Sequence, residues 1–216
     1  MPLQNRVDPF GEIHPDPARG MFTGNRGILH DPATKTLLNK RWATKAWITC
    51  ALHFKDARRV PMGRNRPGGL TGWTELFFLD EVTALAAGHR PCFYCRRERA
   101  KAYSAAYAHA FGADDPKVGE IDAKLHAERL ASGGKAIEVD RHGLSLLPDG
   151  AMVSDGEADY AIHRGRALRW SFAGYSQGLG FDDFGTREMC VVTPATTLAV
   201  LRQGFEPEWH PSAARA

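Results

Sequence analysis

Residues 73–101 read WTELFFLDEVTALAAGHRPCFYCRRERAK, and the rest of the chain is best interpreted outward from them. Residues 75–79, which read ELFFL, have the composition of a β-strand. Asp80 follows as a candidate N-cap, and Gly88 comes directly after the last periodic residues. The pattern therefore predicts a strand followed by a short helix that ends at Gly88.

A Cys-x-x-Cys pair comes directly after this helix. Pro91 fixes the backbone before Cys92, and a turn there leaves the side chains of Cys92 and Cys95 on the same side. Two thiolates placed in this way bind one cation, and zinc is the usual metal for such a pair. The segment therefore predicts half of a zinc site.

A second source of ligands lies upstream, where residues 41–54 read RWATKAWITCALHF and predict one long strand. Cys50 supplies a third thiolate, and His53 supplies an imidazole as the fourth ligand. We expect Cys50, Cys92, Cys95 and His53 to form a tetrahedral shell around Zn²⁺. Such a closed shell leaves no position for substrate or water, so the metal is expected to be mainly structural. The alternative is a metal-free pair, with Cys50 simply buried.

Residues 84–95, which read ALAAGHRPCFYC, resemble the metal-binding domain of Ada-type DNA repair proteins. That domain carries an Ala-Leu-Ala-Ala-Gly-x-Arg-Pro-Cys-x-x-Cys segment, and the resemblance covers about residues 42–101. It implies a four-coordinate zinc site and contact with DNA phosphates. Cys50 looks like the family's first cysteine, which accepts a methyl group from a DNA phosphotriester. In the family a second cysteine follows four residues later, where this chain has Phe54.

The composition limits the class of protein. The chain has 216 residues, 43% of them apolar, so it can bury a substantial core. It has four cysteines and no run of eighteen apolar residues or charged-then-apolar leader. These features predict a cytoplasmic protein without membrane association, in which a Cys-x-x-Cys pair binds metal or acts as a redox dithiol rather than forming a structural disulfide.

The net charge of +3 is unevenly distributed. Residues 40–101 contain thirteen Lys or Arg and five Asp or Glu, an excess of eight positive charges. Such an excess attracts polyanions, and nucleic acid is the partner it predicts. The alternative is a solvated basic face. The candidate phosphate contacts are Arg58, Arg59, Arg64, Arg66, Arg90, Arg96 and Arg97.

The remaining pattern predicts an α+β fold with a small Ada-like zinc-binding module, an antiparallel β-rich domain and a closing helix. The expected divisions are an arm with a hairpin at 1–40, the metal-binding module with two following helices at 41–132, and the β-rich domain at 133–216. The helices are expected at 96–111, at 118–132 after a cap at Asp115, and from Pro194 to Gly204. Short strands are expected at 136–140, 144–147, 151–153, 159–163, 167–172 and 189–192, with a loop at 176–188.

The leading functional hypothesis is a zinc-binding protein that binds or acts on nucleic acid. An alternative is a metal-assisted hydrolase or transferase that uses Asp122, His126 and Arg129, or a pocket near Tyr175. A further alternative is a protein-interaction adaptor, which should expose an apolar patch. The sequence assigns no catalytic residue, substrate or oligomeric state.

Overall fold

The computed structural model describes residues 1–56 and 58–216 and confirms the α+β class. Five α-helices accompany the strands: α1 (Glu81–Ala86), α2 (Arg97–Phe111), α3 (Val118–Glu128), α4 (Arg141–Ser145) and α5 (Ala195–Arg202). The strands in the described residues are β1 (Gln4–Val7), β2 (Ile13–Pro15), β3 (Phe22–Asn25), β4 (His30–Asp31), β5 (Thr36–Leu37), β6 (Ile48–Ala51), β7 (Leu76–Phe78), β8 (Arg90–Pro91), β9 (Ile137–Val139), β10 (Met152–Ser154), β11 (Asp159–His163), β12 (Arg166–Ser171), β13 (Gly174–Leu179) and β14 (Met189–Val191).

The first sheet has the strand order β2-β1-β7-β3-β6-β8. Strand β3 lies near its centre and pairs antiparallel with both β6 and β7. The short strand β8 lies at the edge and pairs parallel with β6. The sheet is therefore assembled from segments far apart in the chain, and its β8 edge carries the Cys-x-x-Cys turn.

The second sheet has the strand order β13-β12-β11-β10-β14-β9, and all of its neighbouring strands are antiparallel. One of its faces buries a cluster that includes Val153, Ile162 and Phe184. The opposite face packs against Val82 and Ala86 of α1. This sheet is the antiparallel β-rich part predicted for the C-terminal half, with α5 as the closing helix.

Helix α1 lies between the two sheets, and all six of its residues are buried. Ala84 contacts the core of the first sheet, whereas Val82 and Ala86 contact the second sheet. Leu85 joins a third cluster with α2, α3 and α5. Residues of the predicted metal-binding module therefore pack directly against the β-rich part, and the division at residue 133 stays a prediction.

Several predicted elements are confirmed by the structure. The Asp80 carboxylate accepts hydrogen bonds from the backbone N–H and the hydroxyl of Thr83, so it caps α1 as expected. Gly88 has φ +77 and ends the turn after the helix. Helix α2 and strand β11 match their predicted bounds closely.

Other local predictions are wrong. The hairpin expected from residues 19–31 does not form, because β3 pairs with β6 and β7 while β4 pairs with β5. The single strand expected over 41–54 is limited to β6. Helix α3 has its N-cap at Lys117 rather than at Asp115.

Two further corrections concern the second sheet. The strand predicted over 144–147 falls largely in α4, whose N-cap Asp140 accepts a hydrogen bond from the backbone N–H of Gly143. The loop predicted over 176–188 instead contributes to β13, which pairs with β12 from Gly174 to Leu179.

No helix among the described residues is long and apolar enough to cross a membrane.

Candidate metal centre

The parallel pairing of β6 with β8 brings the cysteines together. The backbone N–H of Arg90 donates to the carbonyl of Trp47, and the N–H of Cys92 donates to the carbonyl of Thr49. Pro91 lies between them and has no N–H to leave unpaired. Cys92 is thereby held beside Cys50, although 42 positions separate them in the chain.

A tight turn then brings back the second cysteine of the pair. The N–H of Arg96 donates to the carbonyl of Cys92 over 2.9 Å, which closes the turn directly before α2. The backbone N–H of Tyr94 donates to Sγ of Cys92 over 3.4 Å. Such N–H donors stabilise a thiolate and hold a metal ligand in orientation. The turn therefore places both thiols on the side that faces Cys50.

The three sulfur atoms of Cys50, Cys92 and Cys95 all lie within 4.8 Å of one another. Zinc–sulfur bonds of about 2.3 Å in a tetrahedral arrangement require sulfur atoms about 3.8 Å apart, a separation that falls within this limit. Cys50 and Cys92 are buried, and Cys95 is half-buried. The three thiols form a group that can hold a metal ion.

The three thiols cannot all ionise without a cation. Hydrogen bonds from Cys50 and Cys95 lower the pKa of Cys92. Hydrogen bonds to Cys92 and Cys95, together with burial, raise the pKa of Cys50. The hydrogen bond with Cys50 lowers the pKa of Cys95. The hydrogen bond with Cys92 and burial both raise it and together outweigh this effect, so the pKa of Cys95 is raised. These opposite directions favour a thiolate at Cys92 beside thiols at Cys50 and Cys95, and a divalent cation would allow all three to be thiolates.

Aromatic and basic side chains lie on the solvent side of the group. Tyr94 is 71% exposed, and its ring packs edge-on against Phe54 with 5.0 Å between ring centroids. The Nζ atom of Lys55 lies 5.4 Å from the Phe54 ring centroid and 5.3 Å from that of Tyr94. The Tyr94 hydroxyl is 3.4 Å from the same ammonium. Sequence reasoning missed this arrangement, which only the proximity of positions 54–55 and 94 in the fold reveals.

The structure does not bring His53 into the group. His53 lies two residues beyond the end of β6, where it is exposed. Within residues 1–56 and 58–216, the ligand atoms that converge belong to the three cysteines alone, and His53 as the fourth ligand stays a prediction.

His89 and His210 make their contacts elsewhere in the fold. His89 is completely buried, and its Nε2 accepts a hydrogen bond from Nε of Arg26. The ring of His89 packs against Trp47 and Phe78. His210 caps the C-terminal turn through a hydrogen bond from the N–H of Ser212. Neither imidazole belongs to the thiol group.

Two of the seven arginines predicted to contact phosphates are buried in ion pairs. Arg90 is 5% exposed and forms two 2.8 Å hydrogen bonds with the carboxylate of Asp122. Arg96 is similarly buried and contacts the carboxylates of Glu81 and Glu208. Their guanidinium groups face carboxylates inside the protein, so they do not present charge to a polyanion.

The remaining five arginines are closer to solvent. Arg59 is half-buried, where it pairs with Glu75 at 2.7 Å and stacks on Trp73. The exposed members of the predicted set are Arg58, Arg64, Arg66 and Arg97.

The residues proposed for a hydrolase or transferase do not converge. The Asp122 carboxylate faces Arg90, whereas Arg129 donates to the backbone carbonyls of Gly88 and Lys45. The ring of His126 packs against Trp42 instead. Tyr175 is buried and donates its hydroxyl hydrogen to Asp80 in the core, so it does not line an open pocket. These contacts describe a packed interior rather than an acid–base pair.

No family model, curated protein or solved structure matches the chain in any of the three comparisons. The likeness to the Ada metal-binding domain therefore depends on the residues quoted above and on the convergence of Cys50 with the Cys-x-x-Cys turn.

Proposed function

We propose that the protein binds one zinc ion through Cys50, Cys92 and Cys95. The observation that carries this proposal is the convergence of three sulfur atoms within 4.8 Å across two distant segments of the chain. Zinc is the metal that best suits a compact set of thiolates without a redox requirement. The ion would fasten the Cys-x-x-Cys turn to β6, in the manner that the Ada resemblance implies.

The test is the zinc content of the purified protein, measured by inductively coupled plasma mass spectrometry. We expect about one equivalent of zinc in the native chain and a loss of most of it in Cys50→Ser, because three ligands would become two. Cys190→Ser is the matched control, since Cys190 lies in β14 of the second sheet. Equal zinc content in native protein and Cys50→Ser would contradict the proposal.

We further propose that nucleic acid is the partner of the basic segment that surrounds this site. The support is the charge excess of residues 40–101 and the exposure of Arg58, Arg64, Arg66 and Arg97. Such cations would contact phosphates, and binding would weaken as salt is raised. The exposed Tyr94 adds an aromatic surface of the kind on which bases stack.

This second proposal is tested by measuring the affinity for a labelled oligonucleotide at several salt concentrations. Removal of one phosphate-contacting arginine, as in Arg64→Ser or Arg66→Ser, should reduce the slope of log affinity against log salt by about one. Arg141→Ser is the control, because Arg141 lies in α4 and is also exposed. An unchanged slope in the first two variants, or an equal reduction in the control, would contradict the proposal.

A further inference from the structure

This inference rests on the zinc site proposed above. Three cysteines supply three of the four ligands of a tetrahedral zinc site. Across residues 1–56 and 58–216, no other His, Cys, Asp or Glu has a ligand atom within the converging group. We propose that the fourth position binds the sulfur of a small thiol that carries a carboxylate, and that Lys55 pairs with this carboxylate.

The exposure of the cysteines shows from which side a ligand would approach. Cys50 and Cys92 are 8% and 7% exposed, whereas Cys95 is half-buried. Tyr94, which lies between the two cysteines of the turn, is largely exposed. Within the sheet, the strand that carries Cys50 has β3 on one side and β8 on the other. An external ligand would therefore reach the group from the side of Cys95 and Tyr94.

The ammonium of Lys55 lies on this side of the group, next to Tyr94. The Lys55 ammonium lies over the rings of Phe54 and Tyr94, so the two aromatic side chains hold it beside the turn. Within the described part of the chain, no carboxylate lies within 4.0 Å of it. Lys55 also has φ +53, a backbone conformation that non-glycine residues seldom adopt. Its ammonium thus lies beside Tyr94, the residue before Cys95, and has no anion to neutralise it within the described residues.

The chemistry of the donor set selects the class of ligand. Three thiolates form a soft set, and a fourth thiolate completes the all-sulfur shell that zinc accepts in proteins. On binding, the thiol would release its proton to the buffer, its sulfur electron pair would form the new bond to the metal, and the water molecule that otherwise fills the fourth position would leave. Nothing is oxidised or reduced. A carboxylate on the same molecule would then satisfy Lys55, which distinguishes this class from neutral thiols.

The experiment replaces zinc by Co²⁺, whose visible absorption reports the number and type of its ligands. Native protein loaded with Co²⁺ in thiol-free buffer is titrated with 3-mercaptopropionate and, separately, with 2-mercaptoethanol. We expect both thiols to increase the sulfur-to-cobalt charge-transfer absorption to a saturating value. Lys55→Met should weaken the binding of 3-mercaptopropionate about fivefold, the upper end of what an exposed ion pair contributes, and leave 2-mercaptoethanol unchanged.

The possible results separate this inference from the proposal on which it depends. Failure to take up Co²⁺ would overturn the metal site itself. Uptake with a spectrum that neither thiol alters would overturn only the open fourth position. A change in the thiol-free spectrum of His53→Ala would show that the chain supplies the fourth ligand, and would also overturn it. Equal weakening of both thiols by Lys55→Met would overturn the role of Lys55.

Discussion

The two six-stranded sheets bury different kinds of groups. The core of the second sheet is apolar, with Val153, Ile162 and Val191 among its buried members. The first sheet and the elements beside it bury thiols, imidazole and guanidinium groups as well. Apolar burial is favourable without a specific partner, whereas a buried charge requires one. The first sheet therefore depends on particular ionic partners, and we infer that a metal ion is one of them.

The buried arginines near the first sheet show two ways of meeting this requirement. Arg90 has a bidentate carboxylate partner in Asp122. Arg26 and Arg129 instead stack on Trp47, with their guanidinium carbons 3.8 and 4.3 Å from the ring centroid, and donate to backbone carbonyls. Burial lowers the pKa of each of these two arginines to about 9; the charge of Arg129 adds to the lowering for Arg26, whereas the charge of Asp122 opposes it for Arg129. Stacking and backbone carbonyls thus compensate these charges less completely than a carboxylate would.

The largest effect should come from removing a carboxylate in this region. We expect Asp122→Ala to reduce the free energy of unfolding by about 3–5 kcal/mol, because it leaves the buried Arg90 guanidinium without its counterion. Urea denaturation measures the change. Asp182→Ala removes the partner of Arg141 in an exposed pair and should have no measurable effect. Similar losses in both variants would contradict the distinction between buried and exposed pairs.

Metal removal should have the next largest effect, and it should be local. A metal present at 100 times its dissociation constant stabilises the folded state by about 2.7 kcal/mol, which a chelator would remove. Hydrogen exchange measured by mass spectrometry should then increase at β6, β8 and the Cys-x-x-Cys turn. Exchange at β10, β11 and β12 should change much less. A uniform increase over both sheets would contradict the difference between them.

Acid should destabilise the first sheet through His89. Burial, and then the nearby Arg26 and Arg129, lower the pKa of this imidazole well below its usual value. The unfolded chain therefore takes up a proton below about pH 6.5 that the folded chain does not, and stability falls as the pH falls. The loss from this residue is at most about 1.4 kcal/mol per pH unit.

This pH dependence is measured by urea denaturation between pH 7 and pH 5 on the metal-free Cys92→Ser/Cys95→Ser variant, so that metal release does not contribute. Adding His89→Asn to that variant should reduce the slope of stability against pH. Control substitution of the exposed His53 by Asn should leave the slope unchanged. An identical slope with and without His89 would show that other groups determine the acid response.

The smallest effect concerns packing in the second sheet. We expect Ile162→Val to reduce the free energy of unfolding by about 0.5–1.5 kcal/mol, since it removes one buried methylene. The zinc content should not change, because the side chain lies in an apolar cluster that contains none of the three cysteines. Denaturation and metal analysis on the same preparation test both points. Loss of zinc in this variant would show that the metal site depends on packing in the second sheet, contrary to our account.

Local signals in the sequence predicted local structure well. Helix α1 was predictable because Asp80 and Gly88 provide a cap at one end and a left-handed residue at the other. Helix α4 was missed, although Asp140 caps it, because the apolar residues 144–147 suggested a strand. Strand β13 was missed because its glycines indicated a loop. For β13, pairing with β12 outweighed local propensity.

The sulfur ligands of the site were predictable from the sequence, but the fourth ligand and the partners of the nearby arginines were not. Three cysteines of suitable type pointed to a metal, and the parallel pairing of β6 with β8 brings them together. His53 was selected by spacing alone, and the strand that carries Cys50 ends at Ala51, before His53. The ion pairs of Arg90 and Arg96 depend on partners 32 and 112 positions away, which local sequence patterns do not indicate.

X-ray absorption at the zinc edge tests the central claim most directly, because it identifies the atoms bound to the metal. For native protein purified without added thiols, we expect three sulfur neighbours at about 2.3 Å and one lighter neighbour. In Cys50→Ser, any zinc retained should have two sulfur neighbours at most. Zinc bound by nitrogen and oxygen alone, or three sulfur neighbours that persist after the Cys50→Ser substitution, would contradict a site built from Cys50, Cys92 and Cys95.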